Sequence, residues 1–173
     1  MMRDAITRNA LVLSLFAVGT AAMLAFTNDS TLPQIECNRE QALQDSLLEV
    51  MPAERFDNVL LADSVVIQDP LLGRGAHTVY RARLNDNPAG VVMQATAPDG
   101  YGGAIRLLVG VDKNGVLTGV RMIPPHNETP GLGDAIDVRK SDWITRFTGR
   151  SLTDPVETEW AVKKDGGEFD AFT

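Results

Sequence analysis

Between Asn9 and Asn28 the chain carries no charged residue, and within that interval Ala10 to Phe26, ALVLSLFAVGTAAMLAF, is apolar or small almost throughout. About 20 such residues at the rise of an α-helix match the hydrocarbon thickness of a bilayer, where the backbone must satisfy its own hydrogen bonds. The stretch therefore predicts a transmembrane helix over residues 9–28. A cleaved signal peptide shares the basic start and apolar middle, and Thr20, Ala21 and Ala22 could form a cleavage site. Its apolar core is usually only about 7–15 residues long, which favours a retained anchor here. Arg3 and Arg8 precede the span, whereas Asp29 and Glu36 follow it before the next basic residue, Arg39. The excess of positive charge keeps residues 1–8 in the cytoplasm and sends the rest of the chain to the far side of the inner membrane.

Beyond the span, residues 29–37 read as a short linker and residues 38–173 as one domain. NREQALQDSLLEVM, residues 38–51, spaces Leu43, Leu47 and Met51 four apart, with Asn38 and Gln41 placed as a capping box, and predicts an amphipathic helix ending at Pro52. From Ser64 the period changes to two. HTVYRARL, the NDNP turn and GVVMQAT predict one hairpin; AIRLLVGV, the DKNG turn from Asp112 to Gly115 and VLTGVRMI predict a second. Further on, Ser141 can cap SDWITRFTG, which sets Trp143, Ile144 and Phe147 on one face and stops at Gly149. Strands in a block, flanked by helices rather than alternating with them, indicate an α+β domain.

Several function classes are excluded. The net charge is −7, and the 16 basic residues are scattered among 23 acidic ones, which does not build a nucleic-acid surface. Cys37 is the one cysteine, so no intramolecular disulfide is available, and with only His77 and His126 no metal-ligand spacing appears. The glycine-containing stretches around residues 73–75, 100–103 and 131–133 fit neither the dinucleotide fingerprint nor the P-loop.

Three stretches stand out. PPHNETPGLG, residues 124–133, sets three prolines around Glu128 and Thr129, with Gly131 and Gly133 following. Proline locks φ and glycine permits positive φ, so this is a rigid loop with open backbone on which a flat ligand can rest, though a tight structural loop would use the same residues. APDGYGGAI, residues 97–105, poses the same choice, with Tyr101 either a packed corner or an aromatic wall beside the open backbone of Gly102. WAVKKDGGEFDAFT, residues 160–173, contains Lys163, Lys164 and Asp165, by default a solvated turn, and Thr173 comes directly after the apolar Phe172.

In order along the chain, ATAPDGYGGAI, HNETPGLGD, SDWITRF and WAVKKDGGEFDAFT resemble the G-subunit family of the Rnf ion-translocating electron-transport complexes. They are similar, more distantly, to the NqrC component of the sodium-pumping NADH:quinone reductase. The resemblance spans nearly the whole chain. It implies an FMN-binding domain carried outside the bacterial inner membrane by one N-terminal helix, with the lipid bilayer and the membrane-embedded Rnf subunits as partners. It also implies FMN joined through its phosphate to a threonine in a Ser/Thr-Gly-Ala-Thr-x-Thr/Ser motif. Thr173 matches the first position of that motif, so the acceptor threonine is expected just beyond it and Thr173 flanks the attachment. The implied flavin contacts are Tyr101 and Gly102, then Glu128, Thr129, Pro130, Gly131, Leu132 and Gly133, and finally Lys163, Lys164 and Asp165.

A phosphate esterified to threonine has lower charge than free FMN and is held by a bond, so a chain poor in basic residues can carry it. The implied role is an electron relay that needs no catalytic acid, base or nucleophile, in a complex coupling NADH and ferredoxin chemistry to movement of Na+ or H+. Two alternatives stay open on the residues alone: a cofactor-free, membrane-anchored envelope module, and the flavin subunit of the quinone reductase. The anchor is tested at the mature N-terminus. Mass analysis is expected to find residues 9–28 retained, and a new terminus near Ala22 to Ala25 would mean cleavage.

Overall fold

The structure is a computed structural model that describes residues 2–100, 102–123, 131 and 133–170. A single helix, α1, runs Met2–Val50. Residues 29–37, expected as a linker, are helical, and Asn38 and Gln41 lie inside α1 instead of opening a second helix. The reason is local. No glycine occurs between Gly19 and Gly73, and Pro33, inside the helix, removes a single backbone donor from a helix already propagating on both sides. Hydroxyls along the apolar part bond back to the preceding turn, Thr20 to Phe16 O at 2.9 Å and Thr27 to Met23 O at 2.8 Å, which satisfies them without water.

The chain divides into two compact units, Met1–Leu43 and Gln44–Thr173. The first is helix alone, and Leu13, Phe16, Met23 and Phe26 are each 69–75% exposed. Such an apolar surface suits hydrocarbon rather than water, and α1 is the one helix among the described residues long and apolar enough to cross a membrane.

The second unit is built on a five-stranded antiparallel meander: β1 Ser64–Ile67, β2 His77–Leu84, β3 Asn87–Ala97, β4 Ile105–Asp112 and β5 Leu117–Met122, in that order across the sheet. Both expected hairpins form. Asn85 and Asp86 take φ of 51° and 61°, the twist that a two-residue hairpin turn requires. In the β4–β5 turn Gly115 has φ of 80°, and the Asp112 carboxylate accepts from the N–H of Asn114 and Val116. Partial burial pulls that carboxyl upward, but the N–H donors of Val116 and Asn114, with Arg55, outweigh it and hold Asp112 below the usual carboxylate range.

Register assigns the two faces. Tyr80, Val92, Gly110 and Gly119 share one face, and Val79, Met93, Val109 and Val120 share the other. Onto the first face packs the C-terminal turn of α1 through Leu47, Val50 and the following Met51, each at most 1% exposed. Each such burial is worth about 1.5–3 kcal/mol. Glycine permits the approach, because a Cβ on Gly119 would stand 3.1 Å from Val50 Cα. The Thr118 hydroxyl donates to Val50 O at 2.7 Å, and Arg121 Nε to Glu49 Oε2 at 2.8 Å. These bonds tie the helix end to β5.

The other face is covered by short 3-10 turns, Gly133–Ile136 and Trp143–Phe147, where the sequence predicts a full helix from Ser141. The Ser141 hydroxyl does accept from Trp143 N, at 3.1 Å, and Gly149 does end the element at φ 83°, but the apolar side chains are held by the sheet rather than by helical bonding. Val120, Met122, Ile136 and Ile144 form the buried cluster of this face. The helix-to-sheet contact is tested by Gly110→Ala, whose Cβ would overlap Thr118 Oγ1 and stand 2.6 Å from Val50 Cγ1. Urea unfolding in detergent is expected to show about 1–3 kcal/mol lost, and a similar loss in Thr118→Val, which leaves a buried carbonyl unpaired.

Candidate functional site

Antiparallel order brings the first residue of β2, the last of β3, the first of β4 and the last of β5 to the same end of the sheet. Two of the three marked stretches therefore leave from that end: residues 97–105 join β3 to β4, and PPHNETPGLG follows β5. Gly102 is exposed in the first of these, beside a turn closed by Gly103 N donating to Gly100 O at 3.1 Å. Tyr101, Glu128, Thr129, Pro130, Leu132 and Thr173 lie outside the described residues. Gly131 has φ of 79°, donates its N–H to Asp134 Oδ1 at 2.8 Å, and has no described atom within 4 Å of the point where a Cβ would stand. Gly133 begins the 3-10 turn that Ile136 roots in the Val120–Met122 cluster.

His77, at the same end of the sheet, is 5% exposed, and its Nε2 has no hydrogen-bond partner among the described residues. Burial of an unpaired imidazole nitrogen is costly, so this atom is a feature that a ligand or loop group can satisfy. In the sequence, His77 enters only in the rejection of a metal site. A strand position that alternates with Val79 gives no signal of a buried, unpaired nitrogen.

The third stretch forms a separate corner. Lys163–Asp165 is a 3-10 turn closed by Gly166 at φ 87°, and Lys163 N donates to Phe169 O at 2.8 Å. No described hydrogen bond or ion pair joins Lys163, Lys164 or Asp165 to Gly102, Gly131 or Gly133. The contact that orders this corner is Asp170. Its carboxylate meets Lys163 Nζ at 2.7 Å and also the Arg146 guanidinium, and its carbonyl accepts from Trp143 Nε1 at 2.6 Å. Lys163 first, then Arg146, hold the Asp170 carboxyl below the ordinary carboxylate range. The corner reaches the sheet through Trp143 and Ile144, which pack on the same cluster as Ile136.

Sequence reasoning missed Arg146 and Asp170, because they lie 24 residues apart and nothing local pairs them. It also missed the ring cluster, in which Phe147 stacks 6.2 Å from Trp160 and lies 4.7 Å from Phe169. Beside these rings the sheet face carries a groove of about 620 Å³, lined by Leu107, Val109, Leu117, Trp143, Phe147 and Trp160 among others. Ser151 supplies the one hydroxyl of its described lining. Both indole N–H groups are already donated, to Asp170 O and to Pro155 O. The groove therefore suits hydrocarbon rather than the polar edge of a heterocycle.

Two family profiles match the chain, one described as the RnfG N-terminal region over residues 1–50 and one as the FMN-binding domain over residues 100–173. The G subunit of the ion-translocating oxidoreductase complex from Escherichia coli (strain K12) is 46% identical over 99% of this chain and 83% of its own length. Proteins of the same name from Cronobacter sakazakii and Yersinia pestis are 47% and 46% identical, each over 99% of this chain and 82% of their own length. The chain belongs to this G-subunit family. Its N-terminal profile ends at Val50, the residue whose carbonyl Thr118 holds, so that profile stops at the helix-to-sheet contact.

The FMN-binding match takes in β4, β5, the loop after β5 and the Lys163–Asp170 corner. The residues present fit such a group. Among the described residues nothing stands within 4 Å of a Cβ at Gly131 and nothing bonds His77 Nε2, and Arg146 and Lys163 are cations suited to a phosphate. The backbone at Gly131 is tested with two substitutions. Gly131→Val is expected to cost about 1–2 kcal/mol, since L-residues resist this φ, and to lower the flavin content of purified protein. Gly131→Asn tolerates the φ and should recover the stability while flavin content stays low; full flavin content in Gly131→Asn would remove this loop from the site.

Proposed function

We propose that this chain is the membrane-anchored flavoprotein subunit of an Rnf-type complex, relaying electrons through covalently bound FMN on the periplasmic side of a bacterial inner membrane. The observation that carries the reading is the joining, in one chain, of a membrane-length apolar helix to a region matching the FMN-binding domain. Arg3 and Arg8 before the apolar span favour a cytoplasmic N-terminus and an exported domain. FMN, when bound, supplies transfer of one or two electrons.

The chain's own residues have simpler tasks. Pro130, Gly131, Leu132 and Gly133 form a stiff support for the ring, with Glu128 and Thr129 near its polar edge and Tyr101 and Gly102 alongside. Lys163, Lys164, Asp165 and Thr173 belong to the segment that leads to the phosphate. The acceptor is a threonine just past Thr173, in the Gly-Ala-Thr of the family motif. The partners are the membrane-embedded subunits of the complex, which couples electron flow between NADH and ferredoxin to movement of Na+ or H+.

A covalent link makes retention of the flavin independent of free FMN outside the cytoplasm, since a tethered group experiences a high effective concentration. The test is denaturing electrophoresis of protein isolated from membranes. Yellow fluorescence is expected to stay with the polypeptide and to be lost when the acceptor threonine is changed to alanine. Release of all flavin on denaturation would show noncovalent binding, and absence of flavin in native protein would favour a cofactor-free envelope module.

A further inference from the structure

The strongest unassigned feature is the ion cluster at the end of the described chain. Arg146 comes from the 3-10 turn Trp143–Phe147, Lys163 from the turn Lys163–Asp165, and Asp170 lies between them, contacting both. Their formal charges sum to +1. Arg150 nearby is taken up by Glu168 and Asp154, so the single excess positive charge belongs to the three-residue cluster itself, within a stretch whose other ions are mostly acidic. It remains accessible, with the Arg146 and Lys163 side chains 46% and 62% exposed.

Asp170 is pinned through its backbone as well, since Trp143 Nε1 donates to its carbonyl at 2.6 Å. The cluster thus fixes the chain three residues before Thr173. An extended chain spans at most about 3.3–3.6 Å per residue, which bounds how far a group attached a few residues past Asp170 can lie from the two cations.

We infer that Arg146 and Lys163, bridged by Asp170, form the cradle for the flavin phosphate, a role that rests on the FMN reading above. A phosphodiester carries one negative charge, which the cluster's net +1 matches without any other basic residue. Guanidinium and ammonium groups are the donors that bind phosphate oxygens by charge-assisted hydrogen bonds. Asp170 has two effects: it holds the two cations side by side, and it lowers the net charge, so the cradle suits a diester better than the more highly charged phosphate of free FMN. This also explains how a protein of net charge −7 can hold a phosphate with no helix terminus or glycine-rich cradle assigned to it.

The test compares FMN with riboflavin, which has the same ring and no phosphate. The 173-residue chain in detergent, free of flavin, is titrated with each while flavin fluorescence is followed at low and high salt. FMN is expected to bind about tenfold more tightly than riboflavin at low salt, and the advantage should shrink as salt screens the charges. Arg146→Gln and Lys163→Gln should each remove most of that advantage and leave riboflavin affinity unchanged. Asp170→Asn has the opposite sign, because it leaves two uncompensated cations and should raise the preference for FMN by about threefold. Equal weakening of both flavins in the Arg146 and Lys163 variants overturns the inference, as does a fall in FMN preference in Asp170→Asn; either result would mean that the cluster only braces the corner. If the unaltered chain binds neither flavin, the cradle is overturned, while the FMN reading is decided separately by whether flavin stays with the polypeptide on the denaturing gel.

Discussion

The second unit of this protein depends on how closely a helix end can approach a sheet. Val50 and the chain beside it lie against β4 and β5 at positions where glycine offers no Cβ, and Thr118 takes up the Val50 carbonyl that the end of α1 leaves open. A helix terminus buried without such a donor would carry an unsatisfied acceptor in the core. With this contact made, one face of the meander is closed by Leu47, Val50 and Met51. The opposite face is then the one left for the chain after β5 to cover.

That division decides where chemistry can be placed. Short 3-10 turns, rather than a second long helix, lie on the opposite face, rooted by Ile136 and Ile144 in a cluster with Val120 and Met122. Turns of this kind expose backbone and polar side chains at their ends while burying one or two apolar residues each. The Gly133–Ile136 turn and the corner around Asp170 both hang from this cluster, so two segments apart in sequence are held to one apolar base. The groove beside them has its indole donors committed to backbone carbonyls and is left hydrocarbon in character.

Charge is used sparingly. Asp63 accepts from both Arg83 and Arg81 on β2, and Arg83 is the larger cause of its lowered pKa. Asp170 repeats the arrangement of one carboxylate between two cations, but with partners from two separate turns instead of one strand. In both, stability contributed by the carboxylate is present above its unfolded pKa, about 3.9, and is lost as pH falls through the lower folded value.

Local pattern made much of this legible. The uncharged run from Asn9 to Asn28, the period of two from Ser64 onward, and the turns at Asn85–Asp86 and Asn114–Gly115 each act over a few neighbours, so they marked the membrane-length helix and the two hairpins without knowledge of the rest. The linker expected at residues 29–37 and the helix expected after Ser141 fail for a common reason. Whether Pro33 breaks a helix, or whether Trp143, Ile144 and Phe147 complete one, depends on what already holds the flanking residues. The motif resemblance marked Gly131 and Lys163, but not that Arg146 and Lys163 would share one carboxylate or that His77 Nε2 would be buried without a partner among the described residues. Those relations join residues brought together only by the sheet and the turns packed on it. Composition and spacing thus determined the membrane-length helix and the two hairpins by themselves, while tertiary structure decided how far that helix runs, what form the Trp143–Phe147 turn takes and which charges meet, because pairing across 24 residues is set by packing and not by local sequence.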